Sequence, residues 1–183
     1  MKKIFKVGAV ALALLVGFAT TTQAQSVDSK PGIILSVGPD ANLPVGDFKN
    51  GYNWSIGGSI QGDFAIVKRA LYVTVNAGYD NFFAANGGQN LELIPVKAGL
   101  KYYPVKNLYV QGTAGVSFLT NKSDLGADNS AVFAYSPQIG YLIPLGGKNY
   151  LDAGVKFEGD SKFYNNGTSA NFLGLHVAYA FGL

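Results

Sequence analysis

The stretch Asn171-Phe172-Leu173-Gly174-Leu175-His176-Val177-Ala178-Tyr179-Ala180-Phe181-Gly182-Leu183 separates its side chains into two sets of opposite character. One parity is bulky and apolar throughout: Leu173, Leu175, Val177, Tyr179, Phe181 and Leu183. The other is mostly small: Phe172, Gly174, His176, Ala178, Ala180 and Gly182. Successive side chains of an extended strand point to opposite faces, so this alternation implies a strand with one continuously apolar face.

Outward from that stretch the same pattern recurs seven times, over residues 33–43, 53–64, 71–83, 91–103, 108–119, 131–143 and 150–158. In 71–83, for example, Leu71, Val73, Val75, Ala77, Tyr79 and Phe83 oppose Tyr72, Thr74, Asn76, Gly78 and Asp80. Glu92 is an exception on the apolar parity of its strand. With 171–183 the count of strands is eight. Pro39, Pro95 and Pro137 fall inside strand patterns, where each removes a ladder donor, and they are expected to mark bulges or bends. Connectors alternate in length. Pro44 to Tyr52, Ala84 to Asn90, Thr120 to Ser130 and Gly159 to Ala170 are the longer set, mostly polar. Ala65 to Ala70, Pro104 to Asn107 and Pro144 to Asn149 are short. Long loops on one rim and tight turns on the other describe an up-and-down barrel.

Composition points to the solvent. Charged residues make up 14% of the 183 residues, and Gly numbers 24, whereas a water-facing surface carries about 25–35% charge. Lys2, Lys3 and Lys6, the apolar run Val7 to Ala19 and the site Thr22-Gln23-Ala24 predict a signal peptide over residues 1–24, cut after Ala24. The alternative, a retained anchor, would have to span with an apolar run shorter than the roughly 20 residues a membrane helix needs. The barrel domain is then 25–183. Without the leader's three lysines, Lys and Arg balance Asp and Glu, so no basic excess suggests nucleic acid as a partner. Cysteine is absent, which excludes disulfides, thiolate chemistry and Cys-type zinc sites. After residue 24 no apolar run is long enough for a spanning helix, and a closed barrel is the remaining way to satisfy backbone polar groups in lipid.

A soluble calycin-type barrel shares the period, so the chemistry of each face decides. The small parity carries Gly, Ser, Thr, Asn, Gln and a few charges, suited to a crowded lumen. The apolar parity places Trp54, Phe64, Tyr79, Phe83, Tyr102, Phe118, Phe133, Tyr141, Phe157, Tyr179 and Phe181 where lipid-facing aromatic girdles belong. The reading is an all-β, eight-stranded antiparallel up-and-down transmembrane barrel whose lumen is filled by side chains.

The segments Leu43-Pro44-Val45-Gly46-Asp47-Phe48, Ile94-Pro95-Val96-Lys97-Ala98-Gly99-Leu100-Lys101-Tyr102-Tyr103, Tyr109-Val110-Gln111-Gly112 and Tyr135-Ser136-Pro137-Gln138-Ile139-Gly140-Tyr141 resemble the small outer-membrane β-barrel proteins of Bacteroidetes-type bacteria, related in architecture to OmpX-like and OmpA-type barrels. The resemblance covers residues 33–183 and implies a bacterial outer-membrane location, with insertion by the barrel-assembly machinery. It departs at the end, where Gly182 and Leu183 follow Phe181 in place of a terminal aromatic.

The inward parity brings charges into the lumen. Asp63, Lys101 and Asp152 are expected towards the turn end, and Asp40, Asp80, Lys97, Lys156 and Glu158 midway or towards the loops, forming ion pairs with Gln111, Gln138 and His176 nearby. His176 is the one histidine; alone it makes no metal cage, and its strand offers no serine beside it for nucleophilic catalysis. Gly57-Gly58 and Gly146-Gly147-Lys148 match no phosphate loop. Asn121-Lys122-Ser123 and Asn166-Gly167-Thr168 fit the glycosylation acceptor pattern by chance. The expectation is a non-enzymatic outer-membrane protein without cofactor or metal, with a structural or surface-interaction role through loops 120–130 and 159–170. Competing classes are a narrow porin-like pore, a lipid A-modifying enzyme and the soluble calycin.

Overall fold

The computed structural model describes residues 30–67 and 70–183; the signal peptide expected over 1–24 lies outside the described residues. Eight strands form one closed barrel: β1 (Ile33–Val45), β2 (Tyr52–Val67), β3 (Leu71–Ala84), β4 (Leu91–Tyr102), β5 (Leu108–Leu119), β6 (Ala131–Gly146), β7 (Asn149–Asp160) and β8 (Ala170–Gly182). Every strand pairs antiparallel with its sequence neighbours, and β1 closes on β8 from Ile34↔Gly182 to Val45↔Asn171. Among the described residues no sheet edge is left open.

The alternation that predicts the strands also fixes their faces. Val37, Ile56, Ile60, Leu100, Ile139 and Leu175 are exposed on the outside, while Ser36, Asp40, Thr74, Lys101, Ser117 and Asp152 are buried inside. A barrel with so apolar an exterior excludes the water-facing calycin, because it would expose its hydrocarbon to solvent. All eleven expected girdle aromatics point outward. Eight of them are exposed, and Phe83, Phe157 and Phe181 are half-buried against Trp54, Tyr135 and Tyr179.

Several boundaries shift. β1, β2 and β6 run past their expected ends, and β7 extends through Gly159 and Asp160, which shortens the last loop to residues 161–169. Tyr103, expected in β4, lies just beyond it and turns inward. The three prolines are not bulges. Pro39 pairs with Gly58 on the β2 side, but on the β8 side pairing stops at Val37↔Tyr179 and resumes at Asp40↔His176 in the same register. Pro95 opens the same two-pair gap towards β3, between Ala77↔Val96 and Asp80↔Leu93. Pro137 does so towards β7, between Tyr135↔Gly159 and Gln138↔Lys156. A missing N–H thus costs local ladder bonds on one side while both flanking strands hold the register. The irregular pairings lie near the rims instead, at Tyr52/Trp54, Ala65/Val67 and Pro144/Gly146.

Glycine is required at two places for different reasons. Gly99 faces inward where an added Cβ would collide with the Gly112 carbonyl oxygen, so only glycine lets β4 and β5 approach there. The β6–β7 hairpin turns on Gly146 and Gly147, at φ of 117° and 58°, conformations that L side chains rarely adopt.

Candidate functional site

The lumen is filled in layers. At the loop end lies an apolar stopper of Phe48, Phe82, Leu91, Leu93, Leu119, Val132, Phe163 and Phe172. Ring centroids of Phe48 and Phe82 are 5.2 Å apart and those of Phe82 and Phe172 4.9 Å, edge to face. Phe48 comes from the 3₁₀ turn Gly46–Asn50 and Phe163 from the last loop, so the loops fold into the mouth rather than away from it.

The two longest loops are stitched to each other. Backbone N–H groups of Asp128 and Asn129 both donate to the Phe163 carbonyl at 3.0 Å. Asn165 N–H donates to Asp128 Oδ2 at 2.7 Å, and the Tyr164 hydroxyl to the Leu125 carbonyl at 3.1 Å. A helical turn at Lys122–Leu125 supports this contact.

Beneath the stopper is a belt of charge. Lys97 pairs with Glu158, which also lies 3.9 Å from Lys156. Lys156 Nζ is 3.2 Å from Asp40 Oδ1. Asp40 also meets His176 Nδ1 at 3.0 Å and accepts from the Ser59 hydroxyl at 2.7 Å. Asn42 donates to Ser55 and to Asp80, at 2.8 and 2.7 Å. Below, Gln61 and Gln111 exchange reciprocal amide bonds of 3.1 Å.

Lys101, with no exposed surface, lies 2.9 Å from Asp63 and 3.1 Å from Asp152. Tyr109 donates to Asp152 at 2.7 Å and accepts from Gln138 Nε2 at 2.6 Å. The turn end is closed by a second apolar stopper: Ile34, Tyr72, Tyr103, Tyr109, Leu142 and Tyr150. The Tyr72 hydroxyl donates to the Pro31 carbonyl at 2.9 Å, and the Lys30 ammonium sits 3.4 Å from the centre of the Tyr103 ring. Burial, and then the neighbouring Lys101 charge, lower the Lys30 pKa from 10.5 to about 8.

All eleven residues expected in the lumen therefore point into it, buried except for half-buried Gln138. They form a turn-side group around Lys101 and a mid-barrel group around Asp40 and Lys156. Asp160 joins the buried acids, one step of the β7 alternation beyond Glu158, where the sequence pattern expects a loop. Among the described residues neither Asp80 nor Asp160 makes an ion pair. The inward aromatics were visible only as exceptions on the small parity.

Chemically the belt binds charge to charge. Ser59 and His176 both bond to Asp40, so the acid stands between them, whereas an activated serine needs the histidine in the middle. No group of three or more His, Cys, Asp or Glu side chains is arranged to hold a metal among the described residues. A polar chamber of about 10 Å³ lies among Asp40, Gln61, Lys97, Gln111, Lys156 and His176, room for about one water.

Among solved structures the barrel is similar to Ail, the attachment invasion locus protein of Yersinia pestis, at 12% identity and a TM-score of 0.53, covering 83% of this chain and 99% of that one. Ail in complex with the heparin analogue sucrose octasulfate matches at a TM-score of 0.52, with 12% identity and the same coverage. OprG, an outer membrane protein of Pseudomonas aeruginosa, matches at 11% identity and a TM-score of 0.51, covering 85% and 98% of the two chains. These likenesses establish a shared fold, that of small eight-stranded outer-membrane barrels. No curated protein matches the sequence. The model of one family matches residues 10–173, most of the chain, and the protein, an eight-stranded β-barrel, thus belongs to the family described as putative MetA-pathway of phenol degradation.

Proposed function

We propose that the protein is a non-enzymatic, closed-lumen barrel of the outer membrane, exported by its N-terminal signal peptide and inserted by the barrel-assembly machinery, with a structural or surface-interaction role. The supporting observation is the double stopper. Apolar side chains fill both mouths, and between them Lys101 is locked by two carboxylates. A hydrated path would have to displace both stoppers and break buried ion pairs, each costly to separate. Contact with partners falls to the outward faces of residues 120–130 and 161–169, whose mutual hydrogen bonds hold them in one shape and reduce the ordering cost of binding. Ail offers a parallel for such a surface role.

The family description names an aromatic catabolic pathway, but the polar chamber of about 10 Å³ is far smaller than the roughly 150 Å³ apolar cavity that takes up benzene. That chamber favours a second reading, a narrow ion path through the belt. Single-channel recording on pure, refolded protein in a planar bilayer separates the two. A silent membrane is the expected result, and discrete conductance steps would replace the sealed barrel with a pore. Unchanged lipid A mass spectra in producing cells are expected for a non-enzymatic barrel.

A further inference from the structure

Beyond the leader, the charged residues sort by location into three unequal sets. The lumen holds Lys97, Lys101 and Lys156 against Asp40, Asp63, Asp80, Asp152, Glu158 and Asp160. The loop rim is mixed: Lys49, Lys122 and Lys162 stand beside Asp47, Glu92, Asp124 and Asp128. The turn rim differs. Lys106 and Lys148 are exposed on its two described turns, and Lys30 lies under its mouth. No Asp or Glu side chain lies on this rim among the described residues. A chain that is neutral beyond its leader is therefore strongly polarised, with its cationic excess at one rim.

Apolar side chains stand beside these cations. Val105, next to Lys106, is 60% exposed, and Ile66, next to the β2–β3 turn, is 58% exposed. Leu145 and Tyr141 on β6 and Tyr102 on β4 continue the same collar into the lipid-facing wall. An apolar collar capped by flexible ammonium groups matches an interface whose acyl chains lie on one side and phosphates on the other, the geometry in which lysine snorkels. A nucleic acid or soluble glycan would leave that collar unused.

We propose that the turn rim is a binding ring for anionic phospholipid headgroups, centred on Lys106 and Lys148, which holds the barrel at a fixed depth in the turn-side leaflet. The test uses the folded barrel reconstituted in equal phosphatidylglycerol and phosphatidylcholine of matched acyl chains, followed by native mass spectrometry of the lipids it retains. Wild type is expected to enrich phosphatidylglycerol about fivefold, the effect of one well-placed charge near an anionic surface. Lys106→Gln/Lys148→Gln should retain less than about twofold enrichment, and Lys106→Arg/Lys148→Arg should keep it, since the contact is with charge. The loop-rim control Lys122→Gln/Lys162→Gln should match wild type. A heat-dependent gel shift selects folded samples before comparison. Equal retention of both lipids by wild type, unchanged enrichment in the turn-rim Gln variant, or an equal loss in the control would overturn the proposal. So would Lys106-dependent capture of heparin without lipid enrichment.

Discussion

Replacing Lys101 by methionine tests whether the lumen is held by ion pairs or merely filled by volume. The ammonium lies between Asp63 at 2.9 Å and Asp152 at 3.1 Å, with the Tyr109 ring centre 4.1 Å away. All three partners are buried with it. Lys101→Met keeps most of the aliphatic stem but leaves two carboxylates without their cation. Each retains one neutral donor, Gln61 Nε2 to Asp63 at 2.9 Å and the Tyr109 hydroxyl to Asp152 at 2.7 Å. Breaking a buried pair by removing one partner costs about 3–5 kcal/mol. Those donors offset only part of this, because each already bonds its carboxylate in the wild type and brings no compensating positive charge. The triple variant Lys101→Met/Asp63→Asn/Asp152→Asn removes the stranded charges as well and should recover part of the loss, the remainder being the buried amide donors it leaves without acceptors, about 1–3 kcal/mol each. Urea unfolding in lipid vesicles reads both, and Trp54, the one tryptophan, faces lipid on β2 and reports insertion. A single variant within about 1 kcal/mol of wild type, or a triple variant no more stable than the single, would refute the reasoning.

Phe172→Ala removes a fully buried ring from the loop-side stopper and should cost about 3–5 kcal/mol in the same unfolding assay; a neutral result would mean that the stopper is loosely packed. Leu175, 51% exposed between Ala41 and Val155, faces lipid, and Leu175→Arg should lose about 2–4 kcal/mol of folding stability in vesicles. Tolerance of that arginine would reverse the assignment of faces. The Lys30 pKa of about 8 lies below its usual 10.5, so between these values the unfolded chain binds more protons than the folded one. Stability should therefore rise as pH increases through this window. Measured as the difference from Lys30→Met, the gain should emerge between pH 8 and 10.5, and parallel curves would exclude it.

The strands were legible because a closed barrel leaves each side chain only two destinations, and period-two alternation records that choice directly. It places Lys101 and Leu175 on their faces without any tertiary information. Depth is a different quantity. Tyr72, Phe82, Tyr109, Tyr150 and Phe172 share their parity with Asp and Gly, and nothing local distinguishes a stopper aromatic from a belt residue. What sorts them is the stagger between strands, set by turns such as Gly146–Gly147 and by pairing across the whole sheet. The same limit applies to ion-pair partners: Lys101 meets Asp63 across 38 residues and Asp152 across 51, contacts that exist only once three strands (β2 to β4) and four strands (β4 to β7) are in register. The prolines show how firmly that register is held. Each was expected to mark a bulge or a bend, yet pairing resumes unshifted beyond all three, so none of them is a bulge. A residue's own preference predicts its local bonds, whereas in a closed sheet the geometry of a strand is settled by the neighbours on both sides.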